Sequence, residues 1–481
     1  MTSANAESKP RPGPGSTWGK LLVVALFLAV AAFFLLRAPT DELRSDDPRG
    51  TGGAPPTAAT EAPAVGSRCR LAVGKAPFRV GGEGSADAAP ASADAGADGG
   101  DLQRFAPFAV VVGRGVRLPS GFAVGVRRDT SDGAVQQVAL IDAGGAGRLV
   151  DLGRSRGDVG APLIAAAGGD VVVGALEPNA GGFSIRLARI SGDEVTWGDD
   201  LPQERDESLA YDLAVSGAAT VVAWDEADRR GEHTGIVVAG VAAEGLRVGR
   251  AAGRVTSDEL DAELPRLVPR ADGFWLVYVA RRKVALPPNP SDEDLQRDPE
   301  QGRYAAEMIE QSWLEAMPLE ADGEPAGPAR PVTPAAGHVQ AFDVERAKGG
   351  AVLVAWRDDD TPTGADGGRV SVVLVESGGV GEPRVIAEED VGLGAPNLLQ
   401  GWVSLAAASG ELRLAPLGGA ELVQGVLAAE PSLGGGQLIA STGSSLLLAK
   451  PRGRAVDLVL AECEPTPVAP APSPESGDGG S

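Results

Sequence analysis

Cysteine is nearly absent from this chain: its 481 residues hold only Cys69 and Cys463, beside two histidines and three tyrosines, with aromatics at 4%. Each scarcity excludes something. With no CxxC pair and no H-E-x-x-H, a zinc site of the usual spacing is ruled out. His233 in "GEHTG" and His338 in "AGHVQ" fall between strand candidates and read as ordinary loop histidines. There is no Walker A lysine and no complete dinucleotide fingerprint. Positive charge is short as well. The net charge is −23; Lys9, Arg11, Lys20 and Arg37 against Glu7 give the first 38 residues +3, so the rest carries −26. A surface that acidic repels phosphate backbones and anionic headgroups, which argues against a nucleic-acid partner. Long helical runs are also missing. The 67 glycines and 37 prolines instead punctuate many short apolar segments, the pattern of an all-β fold.

One long apolar run is present, Leu21 to Leu36. As a helix its 16 residues rise roughly 24 Å against a hydrocarbon core of about 30 Å, and Trp18, Lys20 and Arg37 can reach the two interfaces. Basic residues precede the run; Asp41, Glu42, Asp46 and Asp47 follow it. That asymmetry keeps the N-terminus in the cytoplasm and places the bulk of the chain outside, anchored in the inner membrane. The alternative is a cleaved signal peptide and a secreted protein, but Arg37 and Pro39 make a poor cleavage site. Either way the chain leaves the cytoplasm, where a disulfide persists. The expected organisation is a cytoplasmic tail (1–17), a transmembrane anchor (18–38), a disordered linker (39–66), a folded region (67–464) and a Pro-rich tail (465–481), with a low-complexity loop at 81–100.

Within the folded region one strand type recurs: "GFAVGVRRD" at 121, "DVVVGALEP" at 170, "TVVAWDEAD" at 220, "GFWLVYVARR" at 273 and "AVLVAWRDDD" at 351, with weaker copies at 401 and 444. A strand, tight turn and strand follow each of the first six, as in "VALIDAGGAGRLVDL" at 138 and "VVLVESGGVGEPRVI" at 372. The turns use residues that tolerate the positive φ of hairpins. The unit is about four strands over roughly 50 residues, the size of a propeller blade. It resembles bacterial β-propeller repeats whose strands end V-x-W-x-D; Trp224-Asp225 and Trp356-Arg357-Asp358 fit best. "SGDEVTW" at 191–197 resembles the Asp box of sialidase-type propellers through Ser191, Asp193, Thr196 and Trp197, with Val195 in place of glycine. The resemblance implies a superfold, with the Asp box structural. The expected fold is a single propeller of seven four-stranded blades, although six or eight blades, or two stacked β-sandwiches, stay open. The seventh unit lacks a fourth strand, while "CRLAVGKAPFRV", 69–80, is a spare strand at the other end. An N-terminal strand can complete the last blade and remove its open edge. Cys69 then lies beside Cys463, and a disulfide locks the ring.

Few motifs suggest chemistry. "GRSRG" at 153–157 matches a nucleophile elbow at Ser155, but no helix follows. A sialidase-like site would need a nucleophilic tyrosine. Tyr211 and Tyr278 sit within strands and read as core, leaving Tyr304. No cofactor is expected; Asp358, Asp360 and Asp366 form a weak calcium candidate without EF-hand spacing. The clearest expectation concerns the loops between second and third strands. There Arg127 and Asp129, Asp225 and Glu226, Arg281 and Arg282, and Arg357, Asp358 and Asp360 occupy equivalent positions and would give one face mixed charge. The fourth unit carries an insertion there, 283–311, in which Asp298 and Pro299 start a helix with an apolar stripe through Ala305, Met308 and Ile309. The expected function is a monomeric, membrane-anchored scaffold that binds an envelope protein or glycan; the alternative is a glycoside hydrolase.

Overall fold

The computed structural model describes residues 68–81 and 110–464, apart from 131–132, 156–158, 180–181, 203–209, 229–232, 243–244, 250–252, 286–307, 360–367, 390–392, 407–410, 418–427 and 431–432. Seven antiparallel meanders follow one another along the chain. Their innermost strands are Val110–Leu118, Leu163–Ala167, Tyr211–Ser216, Asp261–Pro269, Val339–Arg346, Asn397–Leu399 and Gln437–Ser441, defining blades 1 to 7. These strands touch their neighbours in a complete ring, blade 7 meeting blade 1. The protein is a seven-bladed β-propeller. The recurring strands of the sequence are the second strands of the blades, from Gly121–Thr130 in blade 1 to Ser445–Arg452 in blade 7.

The core is not central but lies in the seams. Seven separate apolar clusters fill the seven contacts between neighbouring blades, from blades 1 and 2 round to blades 7 and 1. Second strands are therefore apolar on both faces, which is why they read as continuous hydrophobic runs. Valine, alanine and leucine supply most of this packing, so few aromatics are needed. Backbones can also approach closely: a side chain at Gly125 would collide with the Pro162 carbonyl of the next blade.

Blade 7 closes as expected. Its third strand, Ala455–Glu464, pairs at one end with Arg68–Leu71 and at the other with Phe78–Val80. Cys69 lies directly opposite Cys463, and the two form a disulfide. Both sulfurs are buried in the seam between blades 6 and 7. Arg79 grips Asp457 across the same pair of strands at 2.8 Å.

The insertion of blade 4 differs from expectation. The helix proposed for the insertion does not reach its last residues: Met308 and Ile309 belong to the third strand of blade 4, Met308–Glu320, which pairs with Gly273–Ala285 over its whole length. Short apolar runs do not distinguish the two structures by themselves. The strand ladder therefore takes up both ends of 283–311; Asp298, Pro299 and Ala305 lie outside the described residues. In blade 6 the fourth strand is the short Ala428–Ala429, which pairs with Leu412–Pro416. The run Leu21–Leu36 also lies outside the described residues, among which no helix is long and apolar enough to cross a membrane.

Candidate functional site: the axial channel

In a four-stranded meander the 2–3 turns and the crossing to the next blade lie at one end, and the 1–2 and 3–4 turns at the other. The charges singled out in the sequence lie at the first end. Arg127, 6% exposed, donates from Nη1 to the Val159 carbonyl at 2.9 Å and pairs with Asp129 at 3.3 Å. Arg357 repeats this in blade 5: it holds Asp359 through two contacts of 2.6 and 2.9 Å and donates to the Leu393 carbonyl. Val159 and Leu393 are buried, and each begins a lead-in to the next blade, V-G-A-P-L and L-G-A-P-N. In blade 3 the same place is taken by Asp225, and the tie reverses polarity: Asp225 Oδ2 accepts the Leu264 N–H at 3.1 Å. Leu264 adopts φ 55° where the strand bulges between Glu263 and Arg266. Asp358 likewise accepts the His338 N–H at 2.9 Å, and Glu226 accepts the indole of Trp224 at 3.0 Å. Arg281 joins Glu263 and Glu310, and Arg282 reaches Gln311 while lying over Trp313. Asp360 lies outside the described residues.

Burial, with the like charge of Glu263, pushes Asp225 up to about 7 against the Leu264 hydrogen bond. Its Oδ1 is buried without a hydrogen-bond partner. Tyr211 and Tyr278 are buried and hydrogen-bonded, to the Gly174 carbonyl and to Glu315. Ser155 ends the outermost strand of blade 1. Asp193 of the Asp-box stretch pairs with Arg148 of the previous blade, and Trp197 lies under Arg186 at 3.7 Å.

The second charged region was not legible as a motif. Arg114, on the innermost strand of blade 1, crosses the channel to the far side of the ring. Its guanidinium donates to Asp343 at 2.7 Å and Glu345 at 3.1 Å in blade 5, and to the Leu398 carbonyl in blade 6. Asp343 Oδ2 in turn accepts the Leu398 N–H at 2.6 Å, and Asp212 accepts the Leu267 N–H at 2.7 Å. Asn397 continues the series by donating to the Leu438 carbonyl at 2.6 Å. Asp212, Asp343 and Asn397 thus stand at one level of the ring, each binding the backbone of the next blade. Burial alone would lower the Arg114 guanidinium, but Asp343, Glu345 and Asp212 reverse the direction and hold it charged. Burial pushes Asp212 and Glu345 upward against Arg266 and Arg114.

Beside this hub, toward the 1–2 turns, the channel holds a cavity of about 460 Å³. That volume lies within the range of small-molecule sites. Arg117 and Arg346 line it, both exposed, and neither has a hydrogen-bond or ion-pair partner for its guanidinium among the described residues. The arrangement can bind a negatively charged solute. Among the described residues no cluster of histidine, cysteine and carboxylates is arranged to hold a metal ion.

No protein-family model matches the chain, and no curated protein matches it. Solved structures are similar to it at low identity. The propeller domain of the Trilobed protease from Pyrococcus furiosus is 10% identical with a TM-score of 0.43, covering 74% of this chain and 94% of that one. The α-L-arabinofuranosidase Arb93A from Fusarium graminearum is 10% identical with a TM-score of 0.41, covering 74% and 93%. A puromycin-hydrolyzing peptidase of Mycobacterium tuberculosis is 17% identical with a TM-score of 0.37, covering 60% of this chain and 43% of its own length. The chain thus spans less than half of that peptidase.

Proposed function

We propose that this is a membrane-tethered, extracytoplasmic propeller that recognises a soluble anionic ligand in its axial channel. The observation that carries the reading is the pair of uncommitted arginines, Arg117 and Arg346, lining one cavity of a chain with net charge −23. Arginines that line a cavity without a carboxylate beside them keep their donors for a ligand. The export half of the reading is supported by the Leu21–Leu36 run and by the buried Cys69–Cys463 bridge. Full-length protein exposed to a library of anions, cations and neutral sugars of matched size should retain anions selectively. An Arg117→Met/Arg346→Met variant should lose that retention. Retention of neutral sugars alone, or anion retention unchanged in the variant, would overturn the reading.

The second reading, a glycoside hydrolase, has one observation in its favour: Asp225, pushed up to about 7 beside Glu263, has the proton affinity of a general acid. Against it stands the burial of Asp225 at 6% exposure. Turnover of simple aryl glycosides that disappears in Asp225→Asn would favour this reading over the first.

A further inference from the structure

The innermost strands are in register around the ring, so the cavity has a defined wall. Each innermost strand lines it, and three residues beyond the level of Asp212 and Asp343 each places one residue at its wall; in blade 7 it is the fourth, because the strand bulges between Leu438 and Ala440. Blades 5, 6, 7 and 1 give Arg346, Gln400, Ser441 and Arg117, a contiguous polar arc flanked by its two arginines. Ser441 spends its hydroxyl on the Gln400 carbonyl and the Gly443 N–H, so the arc's free donors are the two guanidinium groups and the Gln400 amide. Blades 2, 3 and 4 give Ala166, Val215 and Pro269 at this level, an apolar arc facing it; the carboxylates that also line the cavity, Asp212 and Glu345, are taken up by the Leu267 N–H and by Arg114. Behind both, the Arg114 hub crosses the channel.

From this division we infer that the ligand is a small carboxylic acid with an apolar body. The inference rests on the channel being the binding site. An inorganic anion would satisfy the arginines and leave the apolar arc wet. A neutral apolar molecule would bury the arginines without a partner, which is costly. A carboxylate accepts from guanidinium groups in a planar, two-point geometry, and its hydrocarbon then faces Ala166, Val215 and Pro269.

Titration of full-length protein with straight-chain carboxylates from acetate to octanoate tests this, with inorganic phosphate and octylamine as controls. Affinity should rise about threefold to fourfold per methylene until the cavity is full. Octylamine and phosphate should bind at least tenfold more weakly than octanoate. Arg117→Met/Arg346→Met should weaken octanoate tenfold or more. Pro269→Asp, which puts a negative charge in the apolar arc at a residue outside the seam clusters, should do the same without touching an arginine. Phosphate binding as tightly as octanoate, or affinity independent of chain length, would overturn the ligand class while the channel remains an anion site. Carboxylate binding that survives the double arginine variant would remove the site from the channel, and the proposed function with it.

Discussion

Arg357 and Arg117 are both arginines on the inner two strands of their blades, yet they do opposite things. Arg357 lies in the seam between blades 5 and 6, where Asp359, itself buried, and the Leu393 carbonyl take up its guanidinium. Arg117 lies at the channel cavity, where no described group takes up its own. The contrast extends to the regions. In the seams, charges and the disulfide are committed to holding one blade against the next. In the channel cavity the Arg114 hub is committed in the same way, but Arg117 and Arg346 are not. The lesson is that residue type and approximate position do not separate a strut from a site; the presence of a local acceptor does.

The firmest test of the seam half is the disulfide, because it closes a loop of 394 residues. The chain-entropy model gives so long a loop an upper value of about 5 to 6 kcal/mol. Cys69→Ala/Cys463→Ala should therefore lower the denaturation midpoint more than the loss of any single seam or channel charge. A variant with an unchanged midpoint would show that strand pairing alone closes the ring. Next is Arg357→Met. It removes the guanidinium from Asp359, whose side chain is only 1% exposed, and a charge left behind in that way costs about 3 kcal/mol. The measurement is again a denaturation midpoint, read at constant slope.

Asp225 gives the seams a pH dependence. Its folded-state value is raised from 3.8 to about 7, so the folded protein binds the extra proton more tightly than the unfolded chain does. Its contribution is fully present below about pH 4 and is lost as pH rises through about 7. Asp225→Asn keeps an acceptor for the Leu264 N–H and abolishes the titration. It should be neutral at pH 4 and stabilising by about 4 kcal/mol at pH 8. Equal effects at both pH values would show that the buried carboxyl does not titrate there.

The two halves of the comparison were unequally legible in the sequence. The blades could be read because every second strand is packed on both faces and so repeats the same apolar run, as at Gly121–Thr130 and Val352–Asp359. The closure could be read because blade 7 was one strand short and Cys69 lay on the spare strand. The channel could not. Arg114 reaches partners 229 and 284 residues away, and the aligned position holds arginine, leucine, aspartate and asparagine in different blades, so no motif forms. The available signal was positional: a polar residue ahead of an aliphatic one in several innermost strands, as in Y-D-L-A, F-D-V-E and P-N-L-L. Once the register is known, the residue three further along identifies Arg117 and Arg346.

The smallest expected stability effect is therefore the most informative. If Arg117 and Arg346 hold nothing in place, Arg117→Met and Arg346→Met should each leave the denaturation midpoint within about 0.5 kcal/mol of the native protein, the usual range for surface changes. Methionine keeps the apolar stem of the side chain, so packing lost with an alanine does not blur the result. The same two substitutions should lower carboxylate affinity tenfold or more, since each removes a charge-assisted donor from the cavity. Stability and binding then separate completely at this level of the ring. At Arg357 they should not: there the midpoint falls, and binding follows it only as folded protein is lost. A loss of more than about 1 kcal/mol in Arg117→Met would place that arginine among the struts and erase the distinction between seam and channel.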